Sequence, residues 1–217
     1  IGLVGSEMCI RDSFKNALKD PYTGEIGKTL IFCVSQKHAS KVTQILNILA
    51  DRFFPKQYNS DFAVQVTSDI TNSQDMTVNF RNNSLNGQSK SNPYYRTSKT
   101  RVCVTVGMMT TGYDCTDILN ICMMRPVYSP SEFIQMKGRG TRKCDFSEYW
   151  ISKSEIPDDT DANKKQFLLF DFFGNYEYFE KEFDYDEVIK LPSKPSNGPS
   201  PTPPPPTIEE VISTIPD

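Results

Sequence analysis

From Lys28 onward, short apolar runs rich in β-branched residues alternate with stretches whose apolar positions recur every three or four residues. That alternation leaves few folds open. "KTLIFCVS" is a short apolar run and predicts a buried strand. In "QKHASKVTQILNILADRF", Ala39, Val42, Ile45, Leu46 and Leu49 fall on one helical face. "FAVQVTSD" predicts a second strand, and "SQDMTVNFRNN" a short helix with Met76 and Phe80 four apart. "TRVCVTVGMM", "ILNICMMRPV" and "KKQFLLFDFF" predict three more strands. Between the last two, "SPSEFIQMKG" has the marks of a helix. Ser129 is placed to cap it, Pro130 stands in the first turn, Glu132 would close a capping box, and Gly138 falls just past the end. Strands alternating with helices predict an α/β fold with a parallel sheet. Functional groups of such sheets gather at the carboxyl ends of the strands. Polar clusters fall there: Ser35 to His38, Thr67 to Asp69, and Thr110 to Asp114. "SLNGQSKSNPYYRTSK" is polar and turn-rich and predicts a long exposed loop.

Both ends differ from this middle. "IGLVGSEMCIRDS" has no apolar periodicity, no cationic start and no apolar core of the kind a secretion signal needs. Back-translated, Gly2 to Ser13 resembles a transposon-based sequencing-library adapter read through in frame. Residues 1–13 are therefore read as an adapter-derived artefact, with 14–27 as a lead-in and the reading frame cut upstream. At the other end, 193–207 is rich in proline and serine, predicting a disordered, semi-stiff linker. Residues 208–217 begin a further domain or form a tail.

The net charge is −3 and argues against a bulk-basic nucleic-acid binder, though not against contacts from a few placed residues. No apolar run approaches the roughly 18 residues of a membrane span, so no membrane partner is expected. Six cysteines occur without a CxxC pair, and Cys33, Cys103 and Cys122 sit inside apolar runs. This usage suits a reducing, cytoplasmic setting and no metal site. "GEIGKT" invites a phosphate-loop reading. The pattern requires a glycine where Tyr22 stands and a helix where a strand follows, so Gly27 and Lys28 read as a turn into a strand.

The strongest chemical signal is Gln135, Gly138, Arg139 and Arg142, a Q-x-x-G-R-x-x-R pattern at the end of the capped helix. Gly138 would let the backbone turn sharply and present both arginines. Paired guanidinium groups suit anionic oxygens, and a transferring phosphoryl above all. A solvated basic helix end is the plainer reading of two arginines alone. They are not alone: "TTGYD" stands one strand and one helix upstream.

Together these stretches resemble motifs V and VI of superfamily 2 helicases and translocases, and "LIFCVSQKHAS" looks like motif IV. The order and spacing agree from Lys28 to about Lys143. The run ending in "FIQMKGRGTRK", followed by "LFDFFGNYEYFEKEFDYDEVIKLP", is similar to the restriction (R, motor) subunit of type I restriction–modification enzymes. The resemblance implies a RecA-like helicase C-terminal domain over 28–174 and a post-motor extension over 175–192. It also implies ATP-driven translocation of double-stranded DNA, with ATP and Mg2+ as cofactors held mainly by a first motor domain. Methyltransferase and specificity subunits are the implied partners. Arg139 and Arg142 match the catalytic arginines that reach the γ-phosphate, Arg142 being the better finger. Gln135, Gly138, Gly112 and Asp114 match nucleotide-site positions. Thr110, Thr111, Ser35, Gln36 and His38 match contacts to the DNA backbone.

Each of these has a plainer structural reading. Ser35 and Gln36 could cap a helix, His38 could be a polar first-turn residue, and Asp114 could serve a turn. The stretch carries no Walker A or B motif and no PD-(D/E)xK run, so it is expected not to hydrolyse ATP alone. Competing readings are another superfamily 2 DNA-repair or RNA helicase, and a non-catalytic DNA-binding module. A Rossmann-type enzyme lacks G-x-G-x-x-G after any strand.

Overall fold

The computed structural model describes residues 15–110, 112–157 and 161–182. The adapter-like segment, Thr111, the Pro-rich stretch and the residues after it lie outside the described residues.

Five strands, β1 (Lys28–Cys33), β2 (Ala63–Gln65), β3 (Val102–Thr105), β4 (Ile118–Met124) and β5 (Leu168–Asp171), form one sheet in the order β2-β3-β1-β4-β5. Every neighbouring pair is parallel. Strand β1 is buried throughout, as its unbroken apolar run requires of a central strand covered on both faces. Alternation along it sorts the core. Ile31 and Cys33 face α1 (Gln36–Phe53), while Leu30 and Phe32 face the other way. Helix α1 buries Ala39, Val42, Leu46, Leu49 and Ala50 against the first face, with Ile45 partly buried beside them. Phe80 of α2 (Ser73–Arg81), and Phe133 and Met136 of α3 (Pro130–Gly138), fill the second. The result is a helix–sheet–helix layering, the arrangement that the resemblance implied. Each fully buried Leu, Ile or Phe here stabilises by about 1.5–3 kcal/mol.

Three expectations are corrected by tertiary contacts. First, the polar stretch after α2 is not an exposed loop throughout: Leu85, Ser89, Tyr95, Thr97 and Ser98 are buried. It wraps the buried Arg101, whose Nε donates to the Ile26 carbonyl at 2.7 Å and whose guanidinium lies 3.6 Å from Asp20. Glu25, likewise buried, accepts from Gln57 (2.7 Å), Tyr58 (3.0 Å) and Ser89 (2.7 Å). Polar residues are spent on one another here rather than on water.

Second, no capping box forms on α3. Ser129 occupies the cap position without a side-chain cap bond, and Glu132 instead pairs with Arg125 at the end of β4. Third, Gly138 belongs to α3 and Arg139, its C-cap, keeps right-handed geometry at φ −66°. No left-handed turn is made there. Gly112, in the β3–β4 connection, does adopt left-handed geometry, at φ +64°.

Gly27 is indeed a turn into a strand, held by contact rather than by phosphate. Its amide donates to the Leu18 carbonyl at 2.9 Å, and a Cβ built there would lie 2.8 Å from that same oxygen.

Candidate functional site

In a parallel sheet all carboxyl ends share one edge, so the residues that follow β1, β2, β3 and β4 are neighbours there. Two groups of the expected site residues form on this edge.

The first joins the β3–β4 connection to the end of α3. Arg139 aims its guanidinium back at that connection: Nε and Nη2 donate to the Thr110 carbonyl at 3.1 and 2.7 Å, and Nη1 donates to the Tyr113 carbonyl. A planar fork with five donors can bridge two carbonyls in this way, and an ammonium cannot. Partial burial and the neighbouring Arg142 pull the Arg139 guanidinium below its ordinary value, with Asp114 pulling it up. Three residues on, Arg142 stands 3.3 Å from Asp114, with 46% of the arginine side chain and 59% of the aspartate exposed. Between exposed groups such a pair contributes only about 0–1 kcal/mol. Arg142 is therefore available to a stronger anion, whereas Arg139 is engaged within the chain.

Gly112 lies between the two anchored carbonyls and supplies the left-handed turn that brings Asp114 round. Tyr113 is packed inward, its hydroxyl donating to the Thr77 carbonyl at 3.3 Å. Thr110 is buried, and its hydroxyl has no hydrogen-bond partner among the described residues. Gln135 is half-buried one turn before Arg139 and donates to Ser131 at 3.3 Å.

The second group lies at the ends of β1 and β2. The Ser35 hydroxyl accepts the His38 amide at 3.2 Å, capping α1. His38 Nδ1 accepts the Val34 amide at 3.4 Å, and burial pushes its imidazole below the usual histidine range. Gln36 donates to the Ser68 hydroxyl at 3.2 Å, tying the two strand ends together. No described contact joins this group to the arginines.

Sequence reasoning missed a buried ion pair that fixes the far end of the β3–β4 connection. Lys28, 1% exposed, lies 2.9 Å from Asp117, 5% exposed, and also donates to the Phe80 carbonyl. Burial pushes the Asp117 carboxyl up. Lys28 and hydrogen bonds from Cys115, Lys28 and Asn83 outweigh this and hold it below the ordinary carboxylate range. A lysine opening an apolar run was the available signal, though its partner lies 89 residues away. Arg125 was also missed; it marks the end of "ILNICMM" and braces Glu132.

Among the described residues, no group of three His, Cys, Asp or Glu is placed to hold a metal ion, and no helix is long and apolar enough to cross a membrane.

No family model matches the chain. It is 30% identical over 169 residues to the type I restriction enzyme EcoKI endonuclease subunit of Escherichia coli K12, covering 76% of this chain and 12% of that protein. The solved fragment of an HsdR subunit of a type I restriction enzyme from Vibrio vulnificus YJ016 superposes with a TM-score of 0.53 at 26% identity. That match covers 80% of this chain and 27% of the other. The chain is thus a layered α/β domain built on a five-stranded parallel sheet. It is homologous to one segment of the endonuclease (R, or HsdR) subunit of type I restriction enzymes. That segment is 12% of the curated relative's length.

Proposed function

We propose that this domain is the second RecA-like half of an ATP-dependent double-stranded DNA translocase, the motor of a type I restriction endonuclease R subunit. The observation that carries the reading is the joint between the two arginines and the β3–β4 connection. Arg139 holds the connection by two carbonyls, and Arg142 stands exposed beside Asp114 at the carboxyl edge. On this reading the two arginines differ in role, in line with the resemblance that ranks Arg142 the better finger. Arg142 is the finger, able to exchange a weak surface pair for the charge of a transferring phosphoryl. Arg139 is a positioning residue that keeps Gly112 and Asp114 in place. Gln135 and Gly138 bring the helix end to the same edge.

The chemistry of the donor set suits a triphosphate: a half-exposed guanidinium beside one carboxylate, on one wall of a cleft. ATP, with Mg2+, supplies the transferable phosphoryl when bound, and its remaining ligands belong to a first motor domain. Ser35, Gln36, His38 and Thr110 form the DNA-facing edge, and Thr111 is assigned to DNA by the motif alone. Thr110 reaches a phosphate only when its connection shifts, because its hydroxyl is buried. Methyltransferase and specificity subunits complete the proposed assembly.

The test is Arg142→Ala in the full-length protein. ATP hydrolysis should fall by about 10³-fold or more, the scale of a lost arginine finger, with DNA binding largely intact. Unchanged turnover sinks the finger assignment.

A further inference from the structure

The stretch "LFDFFGNYEYFE", which the resemblance marked but the proposed site does not use, grips α3 from end to end. Asp171, the last residue of β5, accepts the Phe173 amide at 3.1 Å and the Tyr176 amide at 2.6 Å. It thereby shapes the turn into the short helix α4 (Asn175–Glu177). Asn175, buried at 5% exposure, uses three of its four side-chain hydrogen-bonding sites across this turn. Its Oδ1 accepts the Val127 amide at 2.8 Å; its Nδ2 donates to the Arg125 carbonyl at 3.1 Å and to Asp171 at 2.9 Å. Both backbone groups belong to the link that feeds α3. One turn further on, Phe179 stacks on Phe133 at 4.9 Å and 25°, with both rings fully buried. Beyond that, Glu180 pairs with Lys137, one residue before Gly138. Entry, middle and exit of α3 are therefore each held by residues 171–180.

We infer that this segment is a bracket that sets the pose of the arginine-bearing helix, with Asn175 and Phe179 as positioning residues for nucleotide turnover. The inference rests on the proposed role of Arg142. A bracket matters because α3 buries only Phe133 and Met136 and has no side-chain cap bond, its other ties being Glu132 to Arg125 and Arg139 to the β3–β4 connection. A displacement of about 1 Å in a catalytic group can cost about 10²-fold in rate.

The experiment compares Asn175→Ala, the milder Phe179→Leu and Arg142→Ala in the full-length protein. Hydrogen exchange reads the bracket independently of turnover, and DNA-dependent ATP hydrolysis reads its consequence. Asn175→Ala should speed exchange of the 133–139 amides and leave those of β1 and β3 unchanged. It should lower kcat by about tenfold while the KM for ATP stays within about twofold, the signature of an interaction made only in the transition state. Phe179→Leu should move both readouts the same way and by less. Unchanged exchange in α3 in both bracket variants overturns the bracket. Faster exchange with wild-type kcat, while Arg142→Ala is inactive, overturns the coupling and leaves the arginine reading standing. If Arg142→Ala retains turnover, the arginine reading fails, the coupling fails with it, and exchange alone decides the bracket.

Discussion

Replacing Asp117 by Asn would remove one charge from a pair that is almost wholly inside the protein. Lys28 Nζ sits 2.9 and 3.1 Å from the two carboxylate oxygens and 4.8 Å from the centre of the Phe80 ring. Asn keeps the shape of Asp but leaves the ammonium uncompensated. Breaking a buried pair by removing one partner costs about 3–5 kcal/mol. Here the Phe80 carbonyl and ring stay in place, which puts the cost near the low end, about 3 kcal/mol. For a chain of this length each kcal/mol moves Tm by roughly 2–4 °C, so thermal unfolding of the 217-residue chain should shift down by about 6–12 °C. The double variant Lys28→Met with Asp117→Leu fills the same space without charge and should recover most of the loss. The pH dependence has a fixed sign. The carboxyl is held below its ordinary value in the fold, so its contribution is complete above the unfolded value of about 3.9. That contribution is lost as pH falls through the lower folded value. Asp117→Asn should therefore flatten the acid limb of stability below about pH 4. A cost under about 1 kcal/mol, the scale of an exposed pair, or a double variant no more stable than the single one, would refute the argument.

Other perturbations test other parts of the structure. Arg139→Lys keeps the charge but cannot bridge the Thr110 and Tyr113 carbonyls. It should cost about 1–3 kcal/mol in denaturant unfolding and lower ATP turnover of the full-length protein, whereas Arg142→Lys should leave stability within about 0.5 kcal/mol. Gly27→Ala places a methyl against the Leu18 carbonyl and the Leu119 side chain; it should destabilise by about 1–3 kcal/mol, and a neutral result would show that this turn can yield. Thr111→Ala, measured in the full-length protein, should weaken DNA-stimulated ATP turnover more than basal turnover; equal effects count against a DNA contact.

Much of the fold was legible because the signals were local. The 18 residues of α1 carry their own period and cap, and both survive in the structure. β1, β3 and β4 were visible because a strand buried on both faces must be apolar along its length, and the edge strands β2 and β5 because their runs are short and apolar. What misled was also local. Ser129 and Glu132 fit a capping box, but Arg125, seven residues before Glu132, is a stronger partner than a backbone amide. The polar loop after α2 looked solvated because its carboxylate partners, Asp20 and Glu25, lie more than sixty residues upstream. At the site, the motif marked both arginines and the family resemblance ranked Arg142 the better finger, but the two carbonyls that Arg139 bridges were not legible.

The sequence by itself determined the α/β alternation, the edge at which polar groups gather, and the pair of arginines that follows α3. Each depends on residue type and spacing along a few turns of chain. Tertiary structure alone decided that Arg139 faces inward to two carbonyls and Arg142 outward beside Asp114. It also decided that Lys28 is neutralised by Asp117, and that residues 171–180 hold α3. Those outcomes depend on which distant groups the sheet order brings within hydrogen-bonding reach, and on which charges it removes from water. Neither is encoded in any window of the chain short enough to read alone.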